Sequence, residues 1–265
     1  MIDNIKRSIK QQNTILFVGS GISATLGLPS WSQLIDHIAS DLGYDGQLFK
    51  QYGDNLTLAE YYIIQKGHIG ELRSWMDQNW SIDSNTIKES LIYKSIVTLN
   101  CPLIYTTNYD HCLETAFDVW GKKYKRIVSV EDFVSIPQQT TQIIKLHGDL
   151  IRDDSIVLTE SSYFDRLNFD SPLDIKLRSD MLGKSILFIG YSLSDINIRI
   201  LLYKLDELWK KSNNSKRPQS YIFLPKPNPI QEAILNKRGI ATIIGEETDR
   251  KKSTEKFLLK LLEEE

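Results

Sequence analysis

Cysteine is scarce in this 265-residue chain. The two present, Cys101 and Cys112, are too few for a disulfide framework and form no Cys-x-x-Cys pair of the kind that holds a tetrahedral zinc. Reduced, structural thiols and no bound metal are expected. Long apolar runs are also missing: no segment approaches the roughly 18 apolar residues needed to span a bilayer. The opening Met1-Ile2-Asp3-Asn4-Ile5-Lys6 lacks the basic start and apolar stretch of a secretory signal. A cytoplasmic protein without membrane contact is expected. Nor is there a surplus of charge, with 32 basic and 34 acidic side chains. Clusters such as Lys122-Lys123-Tyr124-Lys125-Arg126 are short and read as a solvated loop or helix face, not a nucleic-acid patch.

What is present is enough apolar material, 41% of residues, to bury a full-sized core in one domain over residues 1–265. Thr14-Ile15-Leu16-Phe17-Val18 is a continuous apolar run of strand length ending at Gly19. Similar runs are Leu103 to Thr106, Ile143 to Leu146, Ile186 to Ile189, Tyr221 to Leu224 and Ile240 to Ile244. Segments of helical period lie between several of them. Ser30 and Gln33 have capping-box spacing ahead of the stripe Trp31, Leu34, Ile35, Ile38 and Leu42. Asn228 and Pro229 open another helix. Asp195 opens a third, with Ile198, Leu201, Leu202, Leu205, Leu208 and Trp209 aligned, and Phe257, Leu258, Leu261 and Leu262 lie on a C-terminal one. The pattern predicts an α/β fold: a Rossmann-like parallel sheet with helices on both faces. Residues 32–100 show no comparable strand, and Leu58 to Trp80 and Ile87 to Leu99 read as helices. A helical insertion after the first strand is expected, forming a small lid or cap. Residues 211–216 read as an exposed loop.

Four short words follow the strand-like runs: Gly19-Ser20-Gly21-Ile22-Ser23, Thr106-Thr107-Asn108-Tyr109-Asp110, Lys145-Leu146-His147-Gly148 and Gly190-Tyr191-Ser192-Leu193-Ser194-Asp195. In an open parallel sheet such loops gather along one edge and line one crevice. Glycines after a buried strand let backbone approach a phosphate closely, and Gly19, Gly21 and Ala24 match G-x-G-x-x-A spacing; a tight strand-to-helix turn fits the same residues. There is no Gly-Lys-Ser/Thr phosphate loop. The insertion occupies the place where a dehydrogenase has its second strand and ribose-binding acid, which disfavours hydride transfer. Taken singly, His147 reads as a core histidine, Asn108 as a turn residue, and Asp110 and Asp195 as helix caps.

Together the four words resemble the sirtuin pattern, and more closely the prokaryotic sirtuin-like domains of anti-phage defence systems. The resemblance spans about Thr14 to Ile244 and includes Leu28-Pro29-Ser30-Trp31. It implies NAD as substrate without a metal. By this resemblance Gly19, Ser20, Gly21 and Ser23 cradle the diphosphate, and Asn108 holds the nicotinamide ribose or an attacking water. Asp110 contacts the carboxamide, and His147 is general base or ribose-hydroxyl partner. Gly190, Ser192 and Asp195 complete the adenosine side, and Trp31, Thr107 and Gly148 complete the cofactor-binding set.

The chain departs from protein-deacylating sirtuins in having no four-cysteine zinc module. It also has Pro29-Ser30-Trp31-Ser32 where those enzymes have Phe-Arg, and Thr107 where they have Gln. Water is therefore the expected acceptor and NAD hydrolysis the expected reaction. Control is expected through homo-oligomerisation or a partner defence protein such as a helicase, nuclease, Argonaute or sensor. A zinc-free deacylase or ADP-ribosyltransferase, and a non-catalytic NAD or ADP-ribose sensor, are the alternatives.

Overall fold

The computed structural model describes residues 1–193, 195–211 and 217–263. The chain opens with α1 (Ile2–Lys10), β1 (Thr14–Val18) and the one-turn α2 (Ser20–Ser23). Next come α3 (Trp31–Asp41), α4 (Gly46–Phe49), α5 (Asn55–Lys66), α6 (Gly70–Asn79), α7 (Ser84–Glu89) and α8 (Leu91–Thr98). They lead to β2 (Leu103–Thr106), α9 (Cys112–Val119), β3 (Tyr124–Ile127), β4 (Thr141–Lys145), α10 (Glu160–Phe164), α11 (Pro172–Gly183) and β5 (Ser185–Ile189). The chain continues through α12 (Ile196–Lys211), β6 (Ser220–Leu224), α13 (Pro229–Lys237), β7 (Ile240–Ile244) and α14 (Arg250–Leu262).

The strands form one parallel sheet in the order β3-β4-β2-β1-β5-β6-β7. β1 sits inside it, with Leu16 opposite Ile104 of β2 on one side and Leu187 of β5 on the other. All five of its residues are buried, as a strand covered on both faces requires. Alternation sorts them: Leu16 and Val18 enter the larger core cluster with Ile104, Ile143, Leu187 and Ile189. Ile15 and Phe17 enter the other with Leu103, Tyr105, Ile144, Ile186 and Phe188. Residues of α11 and α12 pack on the second face; α1, α3, α8, α9 and α14 pack on the first. The Rossmann-like α/β architecture with helices on both faces is thus realised.

Several local expectations hold for stated reasons. Ser30 accepts the Gln33 amide while the Gln33 side chain accepts the Ser30 amide, closing a capping box that starts α3. Asn228 caps α13, with Pro229 in its first turn. Other expectations are corrected. The helix read over Leu58 to Trp80 is two helices, because Gly67 takes φ 75° and ends α5. Leu208 is 53% exposed, off the buried stripe of α12. The insertion packs on the sheet: Leu34, Ile35, Phe49, Tyr62, Leu72, Met76 and Ile87 share one core with β1 and β2.

The basic cluster at residues 122–126 holds edge strand β3 instead of a loop or helix face. Its sequence, Tyr-Lys-Arg-Ile, is polar because an edge strand keeps only part of its surface dry. The exposed loop expected at residues 211–216 lies, beyond Lys211, outside the described residues. Among the described residues no helix is long and apolar enough to cross a membrane.

Candidate functional site

The strands carrying the four words, β4, β2, β1 and β5, are neighbours in the sheet. Their C-terminal loops therefore form a continuous edge, and a cavity of about 590 Å³ opens there. That volume lies within the range of small-molecule sites, about 300–1,000 Å³. Ser20, Ser23, Trp31, Thr107, Asn108, Asp110, His147, Gly190, Ser192 and Asp195 line it. The other three expected residues, Gly19, Gly21 and Gly148, are not among its lining residues.

The reason lies in how the loops interlock. The Gly19 amide donates to Ile189 O (2.9 Å) and the Gly21 amide to Gly190 O (2.8 Å). Those two N–H groups are committed to the β5 loop and are not available to a phosphate. A Cβ at Gly19 would lie 2.4 Å from Gly190 O, so the glycine is required by loop-to-loop approach. Gly148, with φ 78°, is similarly closed by Ser155 O. Of the β1-loop residues expected to cradle a diphosphate, Ser20 and Ser23 line the cavity.

Ser23 anchors a directed chain of hydrogen bonds. Its hydroxyl lies 2.8 Å from Asp110 Oδ2, and Asn108 Nδ2 lies 3.2 Å from Ser23 Oγ. A carboxylate only accepts, so Ser23 donates to Asp110 and must itself accept from the Asn108 amide group. The orientation of Asn108 follows: its Oδ1 faces away, is buried, and has no hydrogen-bond partner in the protein. A buried acceptor left unmatched costs about 1–3 kcal/mol, and a ligand hydroxyl or water would supply the missing donor. Asp110 Oδ1 accepts the Cys112 amide at 3.1 Å, so Asp110 also supports the start of α9.

Beneath this loop lies Lys145, a fully buried ammonium on β4. It donates to Tyr109 O (3.0 Å) and Asp110 O (2.7 Å) and pairs with Glu114 at 3.2 Å. Two hydrogen bonds and one ion pair fix the β2 loop to the end of β4. Burial tends to raise the Glu114 pKa, but the Lys145 charge and the His111 contact outweigh it and hold the carboxyl down at about 2.

His147 is 3% exposed. Its Nε2 lies 3.1 Å from Asp195 Oδ2 and its Nδ1 lies 3.3 Å from the Tyr163 hydroxyl. Asp195, expected on the adenosine side, is therefore a neighbour of the imidazole, and its Oδ1 also caps α12 through the Ile198 amide at 3.0 Å. Burial pushes its carboxyl up, while the His147 hydrogen bond and charge and the Ile198 amide bring it below the ordinary carboxylate value. The aromatic wall includes Tyr109 stacked on Trp80 at 5.6 Å, with the Trp80 indole donating to Pro29 O.

Sequence reasoning missed Tyr163, Trp80 and the Asp54-Asn55-Leu56 segment, all of which line the cavity. Tyr163 sits on a five-residue helix too short to show a period. The Thr159/Ser162 capping box was its only local signal. Asp149 has its own partner in the missed strand, pairing with Arg126 at 3.2 Å. Among the described residues no group of three or more His, Cys, Asp or Glu is placed to hold a metal ion.

A parallel α/β sheet with a cavity at its strand ends, lined by an Asn, a His and two Asp residues, defines an open α/β protein of the class that binds its ligands at that edge. Within that class, residues 102–243 match the model of the SIR2-like domain family, and the chain belongs to that family. It is 26% identical over 232 residues to a protein named NAD(+) hydrolase ThsA from Cytobacillus dafuensis, covering 87% of this chain and 45% of that one. A ThsA from Enterococcus faecium is 29% identical over 209 residues, covering 76% of this chain and 42% of that one. Defense-associated sirtuin 2 from Bacillus subtilis is 28% identical over 246 residues, covering 88% of this chain and 23% of that one. The chain spans less than half the length of each of these relatives.

Proposed function

We propose that this chain is an NAD-cleaving domain that hydrolyses the bond between nicotinamide and ribose, releasing nicotinamide and ADP-ribose, and that it depletes NAD as an effector of anti-phage defence. The relatives named NAD(+) hydrolase support the reaction, and the defence-associated one supports the setting. The observation that carries the reading is that Asn108, whose buried Oδ1 has no partner in the protein, lines the same cavity as His147.

Cleaving a glycosidic bond passes through an oxocarbenium-like centre. Nicotinamide leaves neutral, so no strong acid is required of the protein. What is required is a placed nucleophile and a polar partner for the ribose hydroxyls. Asn108 Oδ1 is a fixed acceptor for one of these, aimed by Ser23 and Asp110. Asp195 and Tyr163 hold the imidazole of His147 in one orientation. Ser20, Ser192, Trp31 and Trp80 line the cavity and would meet the rest of the dinucleotide. On this reading the one domain works in the cytoplasm, gated by self-association or by a partner defence protein.

The test follows nicotinamide and ADP-ribose after NAD is added, with and without an acetyl-lysine peptide. Asn108→Ala and His147→Ala are each expected to lower turnover by about 100-fold or more, and the peptide to make no difference. Release that depends on the peptide would replace hydrolysis by acyl transfer. Saturable NAD binding with no release would leave a sensor.

A further inference from the structure

Neither ring nitrogen of His147 is free to meet a ligand: Nε2 faces Asp195 and Nδ1 faces Tyr163. The two contacts have different proton demands. Asp195 is buried, holds its carboxyl below the ordinary value, and already accepts the Ile198 amide on its other oxygen. An ionised carboxylate accepts only, so neutral His147 carries its proton on Nε2 and presents a lone pair at Nδ1. With His147 in that neutral form, the Tyr163 hydroxyl donates to Nδ1 at 3.3 Å; its other acceptor is Asp195 Oδ2 at 3.4 Å. The Tyr163 ring stands edge-on to the imidazole at 5.1 Å, which sets this arrangement in place. Burial, and then the neighbouring Tyr109 and Asp195, push the Tyr163 phenol far above its usual value. Tyr163 does not give up a proton without receiving another.

We propose that Tyr163 is a catalytic residue of this site, carrying a proton from the attacking water to His147, and that Asp195 is the positioning residue that fixes the tautomer on which the transfer depends. This rests on the NAD-cleaving reading. Tyr163 lines the same cavity as Asn108, and its hydroxyl is bonded to Nδ1; the relay requires that hydroxyl also to meet the water bound in the cavity. In the hydrolytic step the ribose C1′–nitrogen bond breaks and its electron pair leaves with nicotinamide. A water oxygen bonds to C1′. The proton that this water loses passes to the Tyr163 oxygen as the tyrosine proton moves to Nδ1, leaving a His147 imidazolium paired with Asp195. That proton then returns to solvent, so each turnover consumes one water and releases one proton.

Tyr163→Phe keeps the ring and removes only the hydroxyl. It is expected to lower kcat by about 100-fold with KM changed by less than about threefold, a split that loss of binding does not produce. Its melting temperature should stay near that of the wild type. Asp195→Asn offers the imidazole a donor instead of an acceptor and should favour the opposite tautomer. Nitrogen-15 spectra of the His147 imidazole at about pH 8, above the ordinary histidine range, should show Nε2–H in the wild type and in Tyr163→Phe, and Nδ1–H in Asp195→Asn. The double variant should be no worse than the poorer single one, as expected of residues acting as a unit. Undiminished kcat in Tyr163→Phe, or an Nδ1–H wild type, would overturn the relay alone and leave NAD cleavage standing. A wild type with the Nε2–H tautomer that releases no nicotinamide would overturn both.

Discussion

In the loops after β1 and β5, Gly19 and Gly21 donate to carbonyls of the facing loop, and the glycines at 19, 21 and 190 let the two backbones touch. In the loops after β2 and β4 the backbone is held from below by Lys145, and side chains face the cavity with Asn108 Oδ1 unmatched. The first pair is a frame in which the backbone amides of Gly19 and Gly21 are satisfied by the facing strand end and loop. The second pair keeps hydrogen-bonding capacity for a ligand, and it needs a separate support to do so. Substitutions in frame and support are therefore expected to unfold the site, and substitutions at the cavity surface to silence it while leaving the fold intact.

The largest effect is expected beneath the second pair. Lys145→Met keeps the length of the side chain but removes the ammonium, stranding the Glu114 carboxylate and two carbonyls in the core. Breaking a buried pair from one side costs about 3–5 kcal/mol, measurable as a lower urea midpoint. Acid should act on the same pair through Glu114, whose folded pKa is depressed to about 2. A depressed carboxylate contributes stability that is fully present above its unfolded value, about 4.3, and is lost as pH falls toward 2. A pH–stability curve that is flat across that interval would show that the pair is not the support.

In the frame, Gly190→Ala is the next test. With φ 59° and a Cβ placed 2.6 Å from the Ile22 amide nitrogen, alanine meets both a left-handed backbone and a facing loop. Strain of about 1–3 kcal/mol for the backbone, with overpacking added, should lower the melting temperature and take activity down with it. A stable, fully active Gly190→Ala would mean that the two loops separate easily, and the frame would lose its meaning.

This contrast also explains what the sequence made legible. The words were readable because each sits at the end of a run such as Thr14–Val18 that is buried on both faces. The sheet order then put the words side by side. The glycines were readable as glycines, but their spacing fits a phosphate loop and a loop-to-loop contact equally. Only the positions of Ile189 and Gly190 decide that their amides face protein. Tyr163 and β3 were not legible for another reason. One lies on a single helical turn and the other on a polar edge strand, so neither leaves the apolar period by which buried elements announce themselves.

The smallest effect on stability, and the sharpest form of the comparison, belongs to Asn108→Ala. Its Oδ1 has no partner to lose, and its Nδ2 gives up one hydrogen bond to Ser23. One neutral hydrogen bond is worth about 1 kcal/mol, partly offset because removing the orphan acceptor removes its desolvation cost. The melting temperature should therefore hardly move while NAD turnover falls steeply. Ser23→Ala should lie between: it keeps Asn108 but removes the link to Asp110 that dictates which way the amide faces. If Asn108→Ala instead proved as unstable as Gly190→Ala, the β2 loop would belong to the frame, and the unmatched oxygen would be a packing residue's and not a ligand's partner.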